Sequence, residues 1–126
     1  MKILLVLGSE FALKYFERLL EHFGIEFDYV RNGHDAVRMF TESPNYDLII
    51  MDVAMEGMSG FTAIKLIRRL QMGKRPVIVG YSNEVRVGSA VHKSSGIDGF
   101  YVLPDVQTSS SVVPIYGRGE KAHVTS

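Results

Sequence analysis

The stretch Tyr46-Asp47-Leu48-Ile49-Ile50-Met51-Asp52 is an apolar run that ends on a carboxylate. Its four central residues are apolar without alternation, which predicts a strand buried on both faces, as in the centre of a parallel sheet. Ligands of open parallel sheets bind at the carboxyl ends of the strands. Asp52, at the end of this run, is therefore the first candidate for a functional residue.

Similar runs on either side of this stretch alternate with segments of helical period. The other predicted strands are Lys2–Leu7, Ile25–Val30, Pro76–Tyr81 and Gly99–Leu103. Strands that alternate with helices predict a doubly wound α/β domain with a five-stranded parallel sheet. Ser9 is a suitable N-cap for the first helix, and Gly24 is a suitable terminator.

Each predicted helix has an apolar face that should contact this sheet. The first helix carries Ala12, Phe16, Leu19, Leu20 and Phe23 on that face, the second Ala36, Val37 and Phe40, and the third Ala63, Ile64, Ile67 and Leu70.

The pattern weakens toward the C-terminus. Residues 84–95 are poor helix material, and no amphipathic helix follows Asp105. A fifth helix is thus expected to be missing or replaced by an irregular tail, in which Val112–Tyr116 could form a short extended segment. We expect one domain over residues 1–104 and an irregular C-terminal tail over residues 105–126.

The composition narrows the range of partners. The 126 residues suit one domain, and 14 basic residues balance 14 acidic ones, so no global charge attracts nucleic acid or an anionic membrane. Cysteine is absent, and the four histidines are scattered, so neither a Cys-based zinc site nor a histidine metal cluster is expected. The first apolar run is too short for a membrane span or a signal peptide. We therefore expect a cytoplasmic protein without a nucleic-acid or membrane partner.

Several segments together carry a resemblance to a known family. They are Met1–Val6, Tyr46–Val53 with Met55–Phe61 behind it, Pro76–Val79, and Gly96–Phe100 leading into Pro104. From Met1 to about Pro104 the chain resembles the receiver domain of two-component response regulators. The resemblance implies a flavodoxin-like (CheY-like) sheet of order 2-1-3-4-5.

The resemblance also implies a role for Asp52, which stands where the family's aspartate accepts a phosphoryl group from a phosphohistidine. The family has two acidic residues after the first strand that help to bind Mg²⁺, whereas this chain has Leu7 and Gly8 there. Because Mg²⁺ requires six oxygen ligands, we expect weak or absent Mg²⁺ binding and no cofactor.

The remaining positions of the family's site also differ. Tyr81 stands where a Thr or Ser bonds the phosphoryl oxygen, and Leu103 stands where a lysine pairs with the phosphoryl charge. The family's switch aromatic is kept as Phe100. Tyr81 and Phe100 are expected either to pack independently or to form an aromatic pair that fixes the surface near the fourth helix.

These substitutions favour a degenerate pseudo-receiver without enzymatic activity, which binds a protein partner independently of phosphorylation. That partner would be a histidine kinase, an output domain or another receiver, and a weak homodimer is a further option. One alternative is a divergent receiver that is still phosphorylated on Asp52. Another is a small-molecule sensor using a vacated apolar pocket lined by Leu7, Gly8, Tyr81 and Leu103.

Overall fold

The computed structural model describes residues 1–53, 57–70, 73–82, 96–102 and 113–114. The described elements are β1 (Ile3–Val6), α1 (Glu10–His22), β2 (Phe27–Val30), α2 (Gly33–Glu42), β3 (Leu48–Asp52), α3 (Gly60–Leu70), β4 (Val77–Ser82), β5 (Gly99–Val102) and β6 (Val113–Pro114). Leu103, the predicted fourth-helix segment 84–95 and most of the predicted tail lie outside the described residues.

The sheet has the order β2-β1-β3-β4-β5-β6, and its first five strands are parallel. This confirms the predicted α/β class and the order 2-1-3-4-5. The structure also has a sixth strand, which is not among the five predicted ones. In it, Val113 and Pro114 pair antiparallel with Val102 and Tyr101. The expected extended segment in the tail therefore forms a ladder over two residues and covers part of the outer edge of β5.

Helices cover both faces of the sheet, and each face has its own core. On one face α2 and α3 pack on apolar side chains from the inner strands, and these buried residues are Leu4, Val6, Ala36, Phe40, Tyr46, Ile49, Met51, Ala63, Ile64, Ile67 and Ile78. On the other face α1 contributes to a second cluster, formed by Ile3, Leu5, Leu7, Ala12, Phe16, Leu20, Ile50 and Tyr81. The central strands β1 and β3 are therefore buried on both sides, as their unbroken apolar runs predict, whereas β2 at the edge of the sheet is only partly buried.

The predicted ends of α1 are confirmed. The Ser9 hydroxyl accepts a hydrogen bond from the Ala12 backbone N–H at 3.2 Å, and Gly24 follows the helix with φ of +68°. Such a positive φ is favourable for glycine and ends a helix without strain.

The predicted apolar faces are wrong at three positions. Leu19 and Phe23 on α1 are 40% and 64% exposed, and Leu70 on α3 is 36% exposed. A helix contacts a sheet along a narrow line, which α1 fills with Ala12, Phe16 and Leu20 at a spacing of four residues. Leu19 precedes Leu20 by one residue, about 100° around the helix, and so lies beside this line.

Arg68 is a structural residue, which the basic composition of its neighbourhood does not reveal. From α3 it donates to the backbone oxygens of Pro76 and Gly96 at 2.8 Å each, and to the Asp98 carboxylate at 2.6 Å. Asp98 also accepts from the Ile78 backbone N–H at 2.9 Å and more weakly from Arg75. We call the Arg68–Asp98 pair the Arg68 clamp; it joins α3 to the beginnings of β4 and β5.

Candidate functional site

Asp52 is the last residue of β3 and lies between β1 and β4 at their carboxyl ends. Its side chain is 8% exposed, and its Oδ2 atom accepts a hydrogen bond from the Gly8 backbone N–H at 3.3 Å. Tyr81 is paired with Asp52 on the neighbouring strand β4, and the Val53 backbone N–H donates to the Tyr81 backbone carbonyl oxygen at 3.0 Å. The structure therefore brings Asp52, Gly8 and Tyr81 together at the carboxyl ends of the central strands, as the sequence predicts.

Leu7 and Gly8 provide no charge beside Asp52. Leu7 is fully buried and belongs to the core of the α1 face, so its side chain packs into the protein interior. Gly8 is exposed and offers only its backbone. Among the residues that the structure describes, no group of three or more His, Cys, Asp or Glu side chains could hold a metal ion.

Tyr81 is a core residue. It is 2% exposed, and its ring contacts Phe16 of α1 edge to face, with centroids 5.8 Å apart and an interplanar angle of 88°. Leu7 and Tyr81 both pack in the same cluster as Phe16. The vacated pocket stays a prediction, and the packing of these two side chains into the interior argues against it. Leu103, the fourth expected lining residue, lies outside the described part of the chain.

Phe100 lies on the opposite face of the sheet from Tyr81. Phe100 pairs with Gly80 and Tyr101 pairs with Tyr81, and successive residues of a strand point to opposite faces. Phe100 is 6% exposed and packs with Val53, so of the two alternatives for Tyr81 and Phe100 the structure has separate packing and not the aromatic pair.

The aromatic neighbour of Tyr81 on β5 is Tyr101 instead. Phe16 contacts the Tyr101 ring with centroids 6.2 Å apart, and the Tyr15 and Tyr101 hydroxyls are hydrogen-bonded at 3.2 Å. Burial raises the pKa of Tyr101 above its usual value, and the hydrogen bond with Tyr15 adds to the effect. Four aromatic side chains thus form a continuous contact between α1 and the last parallel strands.

Ser82 is a buried polar residue at the end of β4, to which the sequence analysis assigned no role. Within the described residues, Ser82 and Asp52 are the polar or charged residues classed as buried, and Ser82 is 1% exposed. Strand alternation places Ser82 on the face of Gly80, away from Tyr81. Its position as the last residue of β4, next to the predicted site residue, was the available signal.

Comparison with known protein families shows which family the chain belongs to. The family described as "Response regulator receiver domain" matches residues 3–101, which include β1 and most of β5. The chain belongs to this receiver family.

Relatives of this receiver occur as separate regulators and inside large kinases. It is 35% identical over 89 residues to two-component response regulator 24 of Arabidopsis thaliana, covering 70% of this chain and 63% of that protein. It is 43% identical over 70 residues to hybrid signal transduction histidine kinase B of Dictyostelium discoideum, covering 56% of this chain and 4% of the kinase. The chain therefore spans less than two thirds of each of these relatives.

Solved receiver structures share the fold. Chemotaxis protein CheY4 of Vibrio cholerae has a TM-score of 0.73 at 27% identity, covering 82% of this chain and 86% of that one. The receiver domain of the Arabidopsis thaliana histidine kinase CKI1, complexed with Mg²⁺ and BeF₃⁻, has a TM-score of 0.72 at 24% identity, covering 80% of this chain and 79% of that one.

Membership of this family places the chain in two-component signalling. Receiver domains are in general signalling modules rather than enzymes, and they interact with histidine kinases and other signalling proteins. Within the described residues, no helix has the length and apolarity needed to cross a bilayer.

Proposed function

We propose that this receiver is a pseudo-receiver, which serves two-component signalling as a protein-interaction module independent of phosphorylation. The observation that carries the proposal is the pair of residues beside Asp52. Leu7 is buried in the core and Gly8 has no side chain, so neither supplies a carboxylate next to the acceptor position. The partner would be a histidine kinase, an output domain or another receiver.

Metal chemistry supports this proposal. Mg²⁺ prefers octahedral coordination by oxygen and is usually held by carboxylates. In the described part of the chain, no group of three or more His, Cys, Asp or Glu side chains could hold a metal ion, and the Gly8 N–H that donates to Asp52 is not a metal ligand. The CKI1 receiver has been solved with Mg²⁺. For this chain we expect Mg²⁺ binding to be weak or absent.

The electrostatics of phosphorylation support it as well. An aspartyl phosphate on Asp52 would carry a charge of about −1.5 to −2. The family's lysine is replaced by Leu103, and the position of the phosphoryl-bonding Thr or Ser is held by Tyr81, whose ring is buried against Phe16. Losing one preorganised stabilising group lowers a rate about 10²- to 10³-fold. Phosphotransfer onto Asp52 is therefore expected to be very slow.

Amide NMR with Mg²⁺ and then beryllium fluoride, which mimics the aspartyl phosphate, tests the proposal. The amide resonances of Gly8, Asp52 and Tyr81 should remain unchanged in both titrations. The control is Gly8→Asp, which adds a carboxylate beside Asp52 at an exposed position. This variant should gain Mg²⁺-dependent shifts at these residues. Saturable shifts in the unmodified chain would overturn the proposal in favour of a phosphorylated switch.

Asp52→Asn is expected to leave the fold nearly unchanged. Asparagine has the same shape, and its side-chain oxygen can accept the Gly8 N–H bond, so the free energy of unfolding should fall by about 1 kcal/mol or less. Urea unfolding followed by circular dichroism measures this value. In a pseudo-receiver, the affinity for a protein partner should also be the same for both forms. Loss of partner binding in Asp52→Asn would contradict phosphorylation-independent recognition.

The retained carboxylate itself favours a second candidate, a divergent phosphorylatable receiver. Asp52 keeps the strand-end position of the phosphoacceptor and a hydrogen bond with the loop after β1. Metal dependence of phosphoryl uptake would distinguish this candidate from the pseudo-receiver. The small-molecule sensor has less support, because Leu7 and Tyr81 pack into the core.

A further inference from the structure

The Phe100 ring occupies space that exists only because residue 80 is glycine. A Cβ atom on Gly80 would lie 2.8 Å from Cδ1 and 3.0 Å from Cε1 of Phe100. It would also lie 2.4 Å from Cδ1 of Ile97. Real Cβ contacts are longer, so any side chain at position 80 would require Phe100 or Ile97 to move.

The same ring is enclosed by side chains from other elements. Val53, immediately after β3, is 6% exposed and forms a small core with Phe100. Phe61 of α3 and Ile97 pack against this core. Phe100 is thus in contact with groups from α3, the end of β3 and the segment before β5.

The Arg68 clamp fixes the backbone that carries Ile97. Gly96 and Asp98, which flank Ile97, are both hydrogen-bonded to the Arg68 guanidinium, at 2.8 and 2.6 Å. Gly96 has φ of +95°, and a Cβ there would lie 2.8 Å from Cγ of Arg68, so the Arg68 stem packs closely on this turn. The backbone N–H of Ile78 holds Asp98 from the other side at 2.9 Å. Ile97 therefore stands between two anchored residues.

We propose that Gly80 and the Arg68 clamp together hold Phe100 in its buried position whatever the state of Asp52. Gly80 provides the space for the ring, and the clamp keeps Ile97 against it. This inference rests on the proposed function, because it explains how the surface around β5 remains in one state without a phosphoryl signal. It assigns a role to Gly80, Arg68 and Asp98, none of which lies among the predicted site positions.

Fluorine NMR of the full chain labelled with 4-fluorophenylalanine tests the inference. The chain has seven phenylalanines, and Phe100→Leu identifies the Phe100 resonance by its loss. We expect this resonance to be single and protected from broadening by a soluble nitroxide, as the 6% exposure requires. A split or strongly broadened Phe100 resonance in the unmodified chain would overturn the inference.

Variants at the two holding elements complete the test. Gly80→Ala should shift the Phe100 resonance and increase its nitroxide broadening. Gly99→Ala is the matched control on the neighbouring strand, because among the described residues beyond its two chain neighbours the new Cβ would meet Val79 Cγ2 alone, at 4.0 Å. It should leave the Phe100 resonance protected from nitroxide broadening. Asp98→Asn weakens the clamp without touching the ring and should broaden the same resonance. If the Phe100 resonance is unchanged in Gly80→Ala, or unchanged in Asp98→Asn, the role proposed for that residue is contradicted.

Adding Mg²⁺ and beryllium fluoride to the labelled chain separates this inference from the proposed function. Amide shifts at Asp52 with an unchanged Phe100 resonance would refute the pseudo-receiver but support the holding of Phe100. A Phe100 resonance that becomes exposed on this addition would refute both. An exposed Phe100 without any response at Asp52 would refute the holding of Phe100 alone.

Discussion

Asp98→Ala is expected to lower the free energy of unfolding by about 2 kcal/mol, because Arg68 loses a charged hydrogen-bond partner. The Arg68 side chain is 16% exposed, and its hydrogen bond to Asp98 is 2.6 Å long. The Ile78 N–H loses its acceptor as well. The Asp98 side chain is 29% exposed, so the loss should be smaller than for a fully buried pair, in which the remaining charge has no access to water.

Urea unfolding followed by circular dichroism measures this loss, with Arg38→Ala as the control. Arg38 forms an ion pair with Asp35 on α2 at a similar distance, 2.7 Å, but the two side chains are 57% and 39% exposed. Such exposed pairs contribute about 0 to 1 kcal/mol. Equal effects of Asp98→Ala and Arg38→Ala would show that the Arg68 clamp behaves as an ordinary surface ion pair.

The pH dependence of stability gives the same clamp a second signature. Burial alone would raise the pKa of Asp98, but the Ile78 N–H, the Arg75 hydrogen bond and the charges of Arg68 and Arg75 outweigh it and hold the pKa below its ordinary value. Asp98 thus stabilises the fold fully above its unfolded pKa, and this stabilisation is lost as pH falls through the lower folded pKa. Asp98→Asn should make the acid side of the stability curve shallower. An unchanged slope would contradict this role.

Asp47 should also contribute to the loss of stability at acid pH, so Asp98→Asn can remove only part of that pH dependence. Its pKa is also lowered, first by the hydrogen bond from Lys74 and then by the Lys2 backbone N–H. The remaining slope in Asp98→Asn should therefore be shallower than that of the unmodified chain but greater than zero.

The strands and the capping of α1 could be predicted because their signals are local. Ile3 to Leu7 is apolar without interruption and is fully buried in the structure. Ser9 and Gly24 carry the chemistry of helix ends within a few residues of the helix. The position of Asp52 also follows locally, since it is the polar residue on which an apolar strand ends.

Contacts that depend on register and on distant partners could not be predicted in the same way. Arg68 looks like one of several basic residues near the end of a helix, and its partner Asp98 is 30 residues away. The Tyr81–Phe100 pair fails because the register aligns Phe100 with Gly80. The predicted burial of Leu19 is wrong because the apolar face of α1 is wider than the part of the helix that contacts the sheet.

Gly60→Ala is expected to destabilise the fold by about 3 kcal/mol, at the upper end of overpacking effects. Gly60 begins α3 and lies against the end of β3. A Cβ there would lie 2.2 Å from the Asp52 backbone oxygen and 2.6 Å from Cα of Val53. Both are backbone atoms in a buried strand end, so the strand and the helix must separate to accept the methyl group.

The sign of this effect is its decisive feature. In an open helix, replacing glycine by alanine stabilises by about 1 kcal/mol, so a stabilised Gly60→Ala variant would show that α3 and β3 do not approach this closely. The separation should also displace Asp52 and weaken its 3.3 Å bond with Gly8, which the amide shift of Gly8 reports. Gly99→Ala, with ordinary contacts, should leave both the stability and that shift nearly unchanged. The geometry of the Asp52 site would then depend on a residue without a side chain, because the contact of α3 with the end of β3 sets where the carboxylate stands.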